Sequence, residues 1–437
     1  MAITDELMSE SMPIVRLSLM SLLFQRTCYN IFFEMSSKMT GVICVGVRCL
    51  TVDQKSTVAF LSAWNWYQAH PQDLVSGSHP TTRLSRTRIH ISCALTWSLT
   101  SPRRRAAHMA TEAMGETVLV TGASGFIGSC LVRLLLARGY SIHAAVLNPD
   151  DKAETGHLLA LAAAAGDEGR VRFFRCDLLD GAAMLAAVRG CSGVFHLASP
   201  CTVDQVLDPQ KELVVPAVEG TLNVLRAAKD AGGVRRVVVT SSVSAVMPCP
   251  GWPAGEVVDE RCWTDIDYCD KNGVWYPASK ALAEKAAWKF AEENGLDVVA
   301  VNPGTVLGEM IPPRVNASMA MFLRLLEGCT EEYKYFFIGP VHVEDVALAH
   351  ILLYENPSAT GRHLCVEPIC HWSDLAAKVA ELYPDYKVPK FPEDTQPGLV
   401  RAEAAPKKLM ALGLQFSPLE KIIRDAVESL RSRGCIA

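Results

Sequence analysis

The chain has 437 residues, 49% of them apolar and 20% charged, which is ample for a large buried core and unlike a disordered polymer. A formal net charge of −5 and an isoelectric point near 6.1 lack the basic footprint that phosphate backbones require. Nucleic acid is excluded as a partner and a small molecule is expected. The fifteen cysteines form no CxxC pair and no Cys/His cluster with zinc spacing, so no metal is expected. They read as free thiols in a reducing, cytoplasmic setting, with Cys176 and Cys191 set in apolar surroundings.

In chain order, the first hundred-odd residues come first and differ from the rest. Segments such as SGSHPTTRLSRTRIH and SPRRRAAHM carry basic and hydroxyl residues with no lasting helical or strand period. This part is net positive by about five and the remainder net negative by about ten, so the two do not read as one domain. The apolar runs PIVRLSLMSLLFQ and VICVGVRCLTV are interrupted by Arg16, Arg26 and Arg48 and fall short of the ~20 clean apolar residues of a spanning helix. No membrane association is expected, and the acidic opening Asp5, Glu6 and Glu10 fits neither a transit peptide nor a secretory signal. Residues 1–113 are read as an irregular extension outside the functional unit, with Met109 or Met114 as its start.

From Glu116 the pattern becomes regular. TVLVT is a short β-rich run, GASGFIG follows at once, and SCLVRLLLARG has apolar residues at helical spacing with a glycine stop. Further buried strands are predicted at SIHAAVL, VRFFRCDL, GVFHLAS, RRVVVTSS and DVVAVNPG. Helices are predicted over Leu158 to Ala165, Ala182 to Val188, Glu212 to Ala231 and Ser279 to Asn294. This alternation implies an α/β fold with a doubly wound parallel sheet.

Three features carry chemistry. Gly122, Gly125 and Gly128 sit between the first strand and helix, where a tight turn lets a pyrophosphate approach the helix N-terminus. The end of the second strand carries Leu147 and Asn148, so neither the acid that marks NAD nor the Arg that marks NADP is present; Lys152 follows in a polar loop. In YPASK, Tyr276 and Lys280 are four residues apart on one helical face. The ammonium can there lower the phenol pKa and hold a ribose, while the phenol gives its proton to a carbonyl receiving hydride. Ser242 ends the run VVVTSS at the sheet edge, where its hydroxyl can polarise the carbonyl oxygen; Ser241 and Thr240 are close rivals.

VTGASGFIGS, GVFHLASP, VVVTSSVSAV, WYPASKALAEKAAWKFA, VNPGTVLG and VHVEDVALAHILLYE together resemble the extended short-chain dehydrogenase/reductases of plants. More narrowly, they are similar to the cinnamoyl-CoA reductase-like proteins, close to dihydroflavonol reductases, from about Thr117 to Ile436. The resemblance implies a Rossmann core, with Ser242, Tyr276 and Lys280 as the catalytic residues. It also implies cofactor contacts along the glycine fingerprint (Gly122, Ser124, Gly125, Phe126, Ile127, Gly128), at Tyr276 and Lys280, at Asp177 with Leu178 beside adenine, at Ala198 and Ser199, and at Pro303 and Val306 flanking the nicotinamide. NADP(H) is implied ahead of NAD(H). The family's thioester reducers read NWYCY before the catalytic lysine, where this chain has GVWYPASK, and they often carry His and Lys where it has Met321 and Arg324.

Beyond the core, NASMAMFLRLLEG either lines an apolar substrate pocket or packs its stripe as an ordinary amphipathic helix. His342, Glu344 and Asp345 are expected to cap the helix DVALAHILLYE. Residues 114–305 are thus expected to form the dinucleotide core with the catalytic residues, and 306–437 a smaller, mainly substrate-binding region. The expected function is reduction of an aromatic carbonyl or a CoA thioester of phenylpropanoid type, by a monomer or homodimer. A ketone, dihydroflavonol or polyketide-pyrone reductase is the alternative, and a dinucleotide-binding sensor or scaffold is the non-enzymatic one.

Overall fold

Strands buried on both faces need helices on both faces, and that requirement organises most of this chain. The computed structural model describes residues 41–45, 48–52, 115–201, 206–253, 256, 258–329, 337–366, 370–389 and 407–436. Two units are distinguished, Met1–Thr96 and Trp97–Ala437. In the first, β1 (Gly41–Val45) and β2 (Arg48–Val52) pair antiparallel, with Gly41 opposite Val52. The remainder of the extension up to residue 114 lies outside the described residues. The run PIVRLSLMSLLFQ lies outside the described residues.

In the second unit the elements run β3 (Thr117–Thr121), α1 (Phe126–Ala137), β4 (Ser141–Val146), α2 (Lys152–Ala164), β5 (Val171–Arg175), α3 (Gly181–Val188), β6 (Gly193–His196), α4 (Val215–Ala231) and β7 (Arg236–Thr240). There follow α5 (Ile266–Asn272), α6 (Trp275–Asn294), β8 (Val298–Pro303), β9 (Thr305–Leu307), α7 (Ala317–Leu326), β10 (Phe337–Ile338), β11 (Pro340–His342) and α8 (Val343–Glu355). The last are β12 (Gly361–Cys365), β13 (Cys370–His371), α9 (Trp372–Leu382), α10 (Lys407–Ala411) and α11 (Leu419–Ser432). Seven strands form one parallel sheet in the order β12-β8-β7-β6-β3-β4-β5. The order reverses between β3 and β6, and ligands of such sheets bind at that point, outside the carboxyl ends of the strands.

All six strands expected from apolar runs are present. The seventh, β12, reads GRHLC and was not predicted, because Arg362 and His363 break its apolar run. Both are nonetheless buried. In α7, Met319, Phe322, Leu325 and Leu326 are buried in the main core, so that stripe is packing and not a pocket wall. His342 caps α8 by accepting from the Glu344 N–H, and Asp345 accepts from the Ser417 N–H and hydroxyl. No helix among the described residues is long and apolar enough to cross a membrane.

Candidate active site

The glycine turn is shaped by sterics that admit no side chain. Gly122 has φ +65°, and a Cβ there would stand 3.1 Å from the backbone of Ala198 on the neighbouring loop. A Cβ on Gly128 would lie 2.1 Å from the Gly122 carbonyl oxygen. Helix α1 starts on Gly125 without a side-chain cap, whereas Asp151 and Asp180 cap α2 and α3. Its first N–H groups therefore remain for an anion. Phe126 and Ile127 send their side chains into the core, so what they can offer a phosphate is backbone. Gly128→Ala is expected to push α1 off the turn, lowering stability by about 1–3 kcal/mol in urea titration. Dinucleotide affinity should fall with it, and equal affinity in wild type and variant would show that the turn does not touch the cofactor.

The loop after β6 is held against this turn by a buried chain of hydrogen bonds. Thr121 Oγ1 accepts from the N–H groups of Leu197 and Ala198 at 3.0 and 3.1 Å and lies 2.9 Å from His196 Nδ1. With both lone pairs used, its hydroxyl proton goes to Nδ1. His196 Nε2–H then donates to Thr221 Oγ1 at 3.1 Å, and the Thr221 hydroxyl donates to the Ala217 carbonyl at 2.8 Å. Burial, aided by the nearby Lys280 charge, pushes His196 down to about 3, so this neutral tautomer persists. Ala198 and Ser199 are thereby fixed in the wall of a narrow cavity shared with His196, Thr240, Lys280 and Glu284.

Of the predicted catalytic residues, Lys280 lines this cavity. Helix α6 carries Tyr276, Lys280 and Glu284 at one-turn intervals on one face. The Tyr276 hydroxyl lies near enough to the side chains of Ser242 and Cys201 for both to influence it. Ser242 Oγ also accepts from the Ser244 N–H at 3.0 Å, which sets its direction at the end of β7. Burial drives the Tyr276 phenol upward and the Cys201 thiol adds to this, while the Ser242 hydrogen bond lowers it. The ring as a whole is half-buried, so desolvation acts at its inner, hydroxyl end. Lys280 Nζ donates to the Thr240 carbonyl at 3.1 Å, and burial holds the ammonium below its ordinary pKa.

Of the two rivals to Ser242, neither faces the phenol. Ser241 donates to Glu284 Oε2 at 2.6 Å, and the Thr240 hydroxyl lies 2.7 Å from His350 Nε2. Glu284, 1% exposed, also accepts from Asn302, Trp288 and Arg362. Arg362 reaches its Oε1 at 2.6 Å and further donates to the carbonyls of Glu260, Cys262 and Ala245. Its guanidinium lies 3.7 Å from the Trp263 ring centroid. Local motifs gave no sign of this hub, whose members lie far apart in sequence.

The remaining predicted contacts are spread along the sheet edge. Asp177 accepts from the Leu179 N–H at 2.8 Å, and Leu178 packs beside Gly220. Pro303 ends β8, and Val306 is buried in β9. Leu147, after β4, is 66% exposed, and Lys152 opens α2 in solvent. Among the described residues, no group of three or more His, Cys, Asp or Glu side chains could hold a metal ion.

A doubly wound sheet with a tight glycine turn at its switch point and a Ser/Tyr/Lys set beyond it defines the class of extended short-chain dehydrogenase/reductases. Residues 118–366 match the NAD dependent epimerase/dehydratase family, and the chain belongs to that family. A cinnamoyl-CoA reductase of Medicago truncatula is 44% identical over 74% of this chain and 98% of its own length. A tetraketide alpha-pyrone reductase of Arabidopsis thaliana is 37% identical over 75% and 98%. Among solved structures, alfalfa vestitone reductase aligns with TM-score 0.62 and 32% identity, covering 73% of this chain and 99% of its own. The yeast methylglyoxal/isovaleraldehyde reductase complexed with NADPH aligns with TM-score 0.61 and 28% identity, covering 73% and 100%. A Thermus thermophilus UDP-glucose 4-epimerase complexed with NAD aligns with TM-score 0.54 and 28% identity, covering 72% and 99%.

Proposed function

We propose that this chain is a nicotinamide-dependent reductase of a small aromatic carbonyl or acyl-CoA thioester of phenylpropanoid type. Residues 114–305 would hold the dinucleotide and the catalytic groups, with 306–437 forming mainly the substrate region. The observation that carries this reading is the Tyr276 hydroxyl, near enough to Ser242 for that side chain to influence it and one helical turn from the buried Lys280. Free thiols such as Cys176 and Cys191 suit a cytoplasmic setting.

The residues present fit a dinucleotide. Its pyrophosphate would rest on the uncapped start of α1, above glycines whose missing Cβ atoms leave the room, and Lys280 would hold the ribose. When bound in reduced form it supplies the hydride. Tyr276, kept protonated by burial, gives its proton to the carbonyl oxygen. Ser242 donates a hydrogen bond to that same oxygen as negative charge develops on it. Lys280 is held beside the site by its hydrogen bond to the Thr240 carbonyl. A thioester would yield an aldehyde and a thiol, a ketone a secondary alcohol, by the same groups.

The family resemblance and the NADPH-bound yeast relative support NADP(H) ahead of NAD(H), while the residues after β4 carry no arginine for a 2′-phosphate. A ketone or pyrone reductase is the second reading, favoured by GVWYPASK before the catalytic lysine and by the pyrone-reductase relative. The test is oxidation of NADPH and NADH by the full chain with feruloyl-CoA, p-coumaroyl-CoA, a dihydroflavonol and an aromatic ketone. Turnover of a CoA ester is expected. Turnover of the ketone or dihydroflavonol alone moves the chain to the second reading, and no turnover of any of them removes both.

A further inference from the structure

After β4 the chain must meet the adenosine ribose of any dinucleotide bound at this switch point. Neither expected signal stands there, since Leu147 is apolar and Asn148 is neutral. A carboxylate does reach the place, from a different element. Glu154, in the first turn of α2, turns back on the strand end. Its Oε1 accepts from the Leu147 N–H at 2.8 Å and from the Ser124 hydroxyl at 3.2 Å, and its Oε2 accepts from the Asn148 N–H at 2.8 Å. Ser124 belongs to the glycine turn, so this carboxylate bridges the two loops between which the ribose must sit.

The neighbouring charges do not offset it in favour of a phosphate. Arg175, at the end of β5, donates to Asn148 Oδ1 at 2.7 Å and to Asp150 Oδ2 at 2.8 Å. Lys152 points into solvent at the start of α2, followed at once by the Glu154 turn. A ribose 2′-hydroxyl can donate to a carboxylate. A 2′-phosphate brings negative charge against it and would compete for the three donors that Glu154 already holds.

We infer that Glu154 is a cofactor-specificity residue, accepting from the ribose of NAD(H) and opposing the 2′-phosphate of NADP(H), so that this chain binds NADH at least as tightly as NADPH. The inference rests on the dinucleotide site proposed above and concerns which dinucleotide that site takes.

The test is equilibrium binding to the full chain without substrate, read as quenching of protein fluorescence by NADH and by NADPH. Wild type is expected to bind NADH with equal or higher affinity. Glu154→Gln should raise NADPH affinity about tenfold and weaken NADH. Leu147→Arg, an addition at an exposed position that keeps Glu154 in place, should also raise NADPH affinity. A wild type that prefers NADPH tenfold or more, by ~1.4 kcal/mol, overturns the inference. So does a Glu154→Gln that weakens both cofactors equally, because Glu154 would then only hold the loops together. If neither cofactor binds the wild type, the dinucleotide reading itself falls; if both bind and only the ratio is wrong, that reading stands and the role of Glu154 does not.

Discussion

Tyr276→Phe is expected to lower kcat by about 10²–10⁴-fold while the chain keeps its fold and its dinucleotide affinity. The substitution removes one oxygen, the one proposed to carry the proton that the carbonyl receives. Ser242 lies near it and is itself oriented by the Ser244 N–H, so in the variant Ser242 can still polarise a carbonyl. The residual rate therefore measures polarisation and positioning without proton transfer. Burial holds the phenol above its ordinary pKa, so the active, protonated form persists through neutral pH. Reductive turnover should stay level there and fall only as alkaline pH removes the proton. Stopped-flow hydride transfer in wild type and variant, with cofactor binding measured separately, checks the prediction. A variant that retains most of its kcat would remove Tyr276 from the proton-transfer step.

The residues that chemistry places close together in sequence were legible there. The glycine turn spans a few positions, and Tyr276 and Lys280 share one helical turn, so spacing alone brings each set together. Strands with continuous apolar runs were legible for the same local reason. Where a polar residue is buried, its partner lies elsewhere in the chain and the sequence carries no local mark of it. β12 escaped notice because Arg362 looks like a surface residue until Glu284, 78 positions away, is placed beside it. His196 gave no sign of its role because Thr121, 75 positions earlier, and Thr221, 25 later, consume both of its ring nitrogens. The strand end after β4 carries no acid of its own, and the carboxylate that meets its N–H groups, Glu154, comes from the following helix, seven residues beyond Leu147. α7 could be read as pocket or core because an amphipathic stripe has the same period in both; packing against the main core decided it.

Breaking the Glu284–Arg362 pair from one side should be the most destabilising single change near the site. Glu284→Leu leaves a guanidinium that is 7% exposed without its carboxylate, and strands Ser241, Asn302 and Trp288 as buried donors. Arg362→Met leaves the carboxylate with neutral donors and releases the carbonyls of Ala245, Glu260 and Cys262. Each is expected to lose about 3–5 kcal/mol, read as a shift of the urea midpoint. The double variant should lose clearly less than the sum, since two apolar groups of similar volume do not leave a charge buried alone. Function should separate the variants further. Arg362 ties down the segment just after Ser242, and Glu284 lies one turn beyond Lys280 on α6. The double variant, even where folded, should therefore lose kcat more than dinucleotide affinity, because the glycine turn proposed to hold the pyrophosphate follows a different strand. Additive losses in the double variant would mean that the two residues act through their separate neighbours, and that the ion pair contributes little of its own.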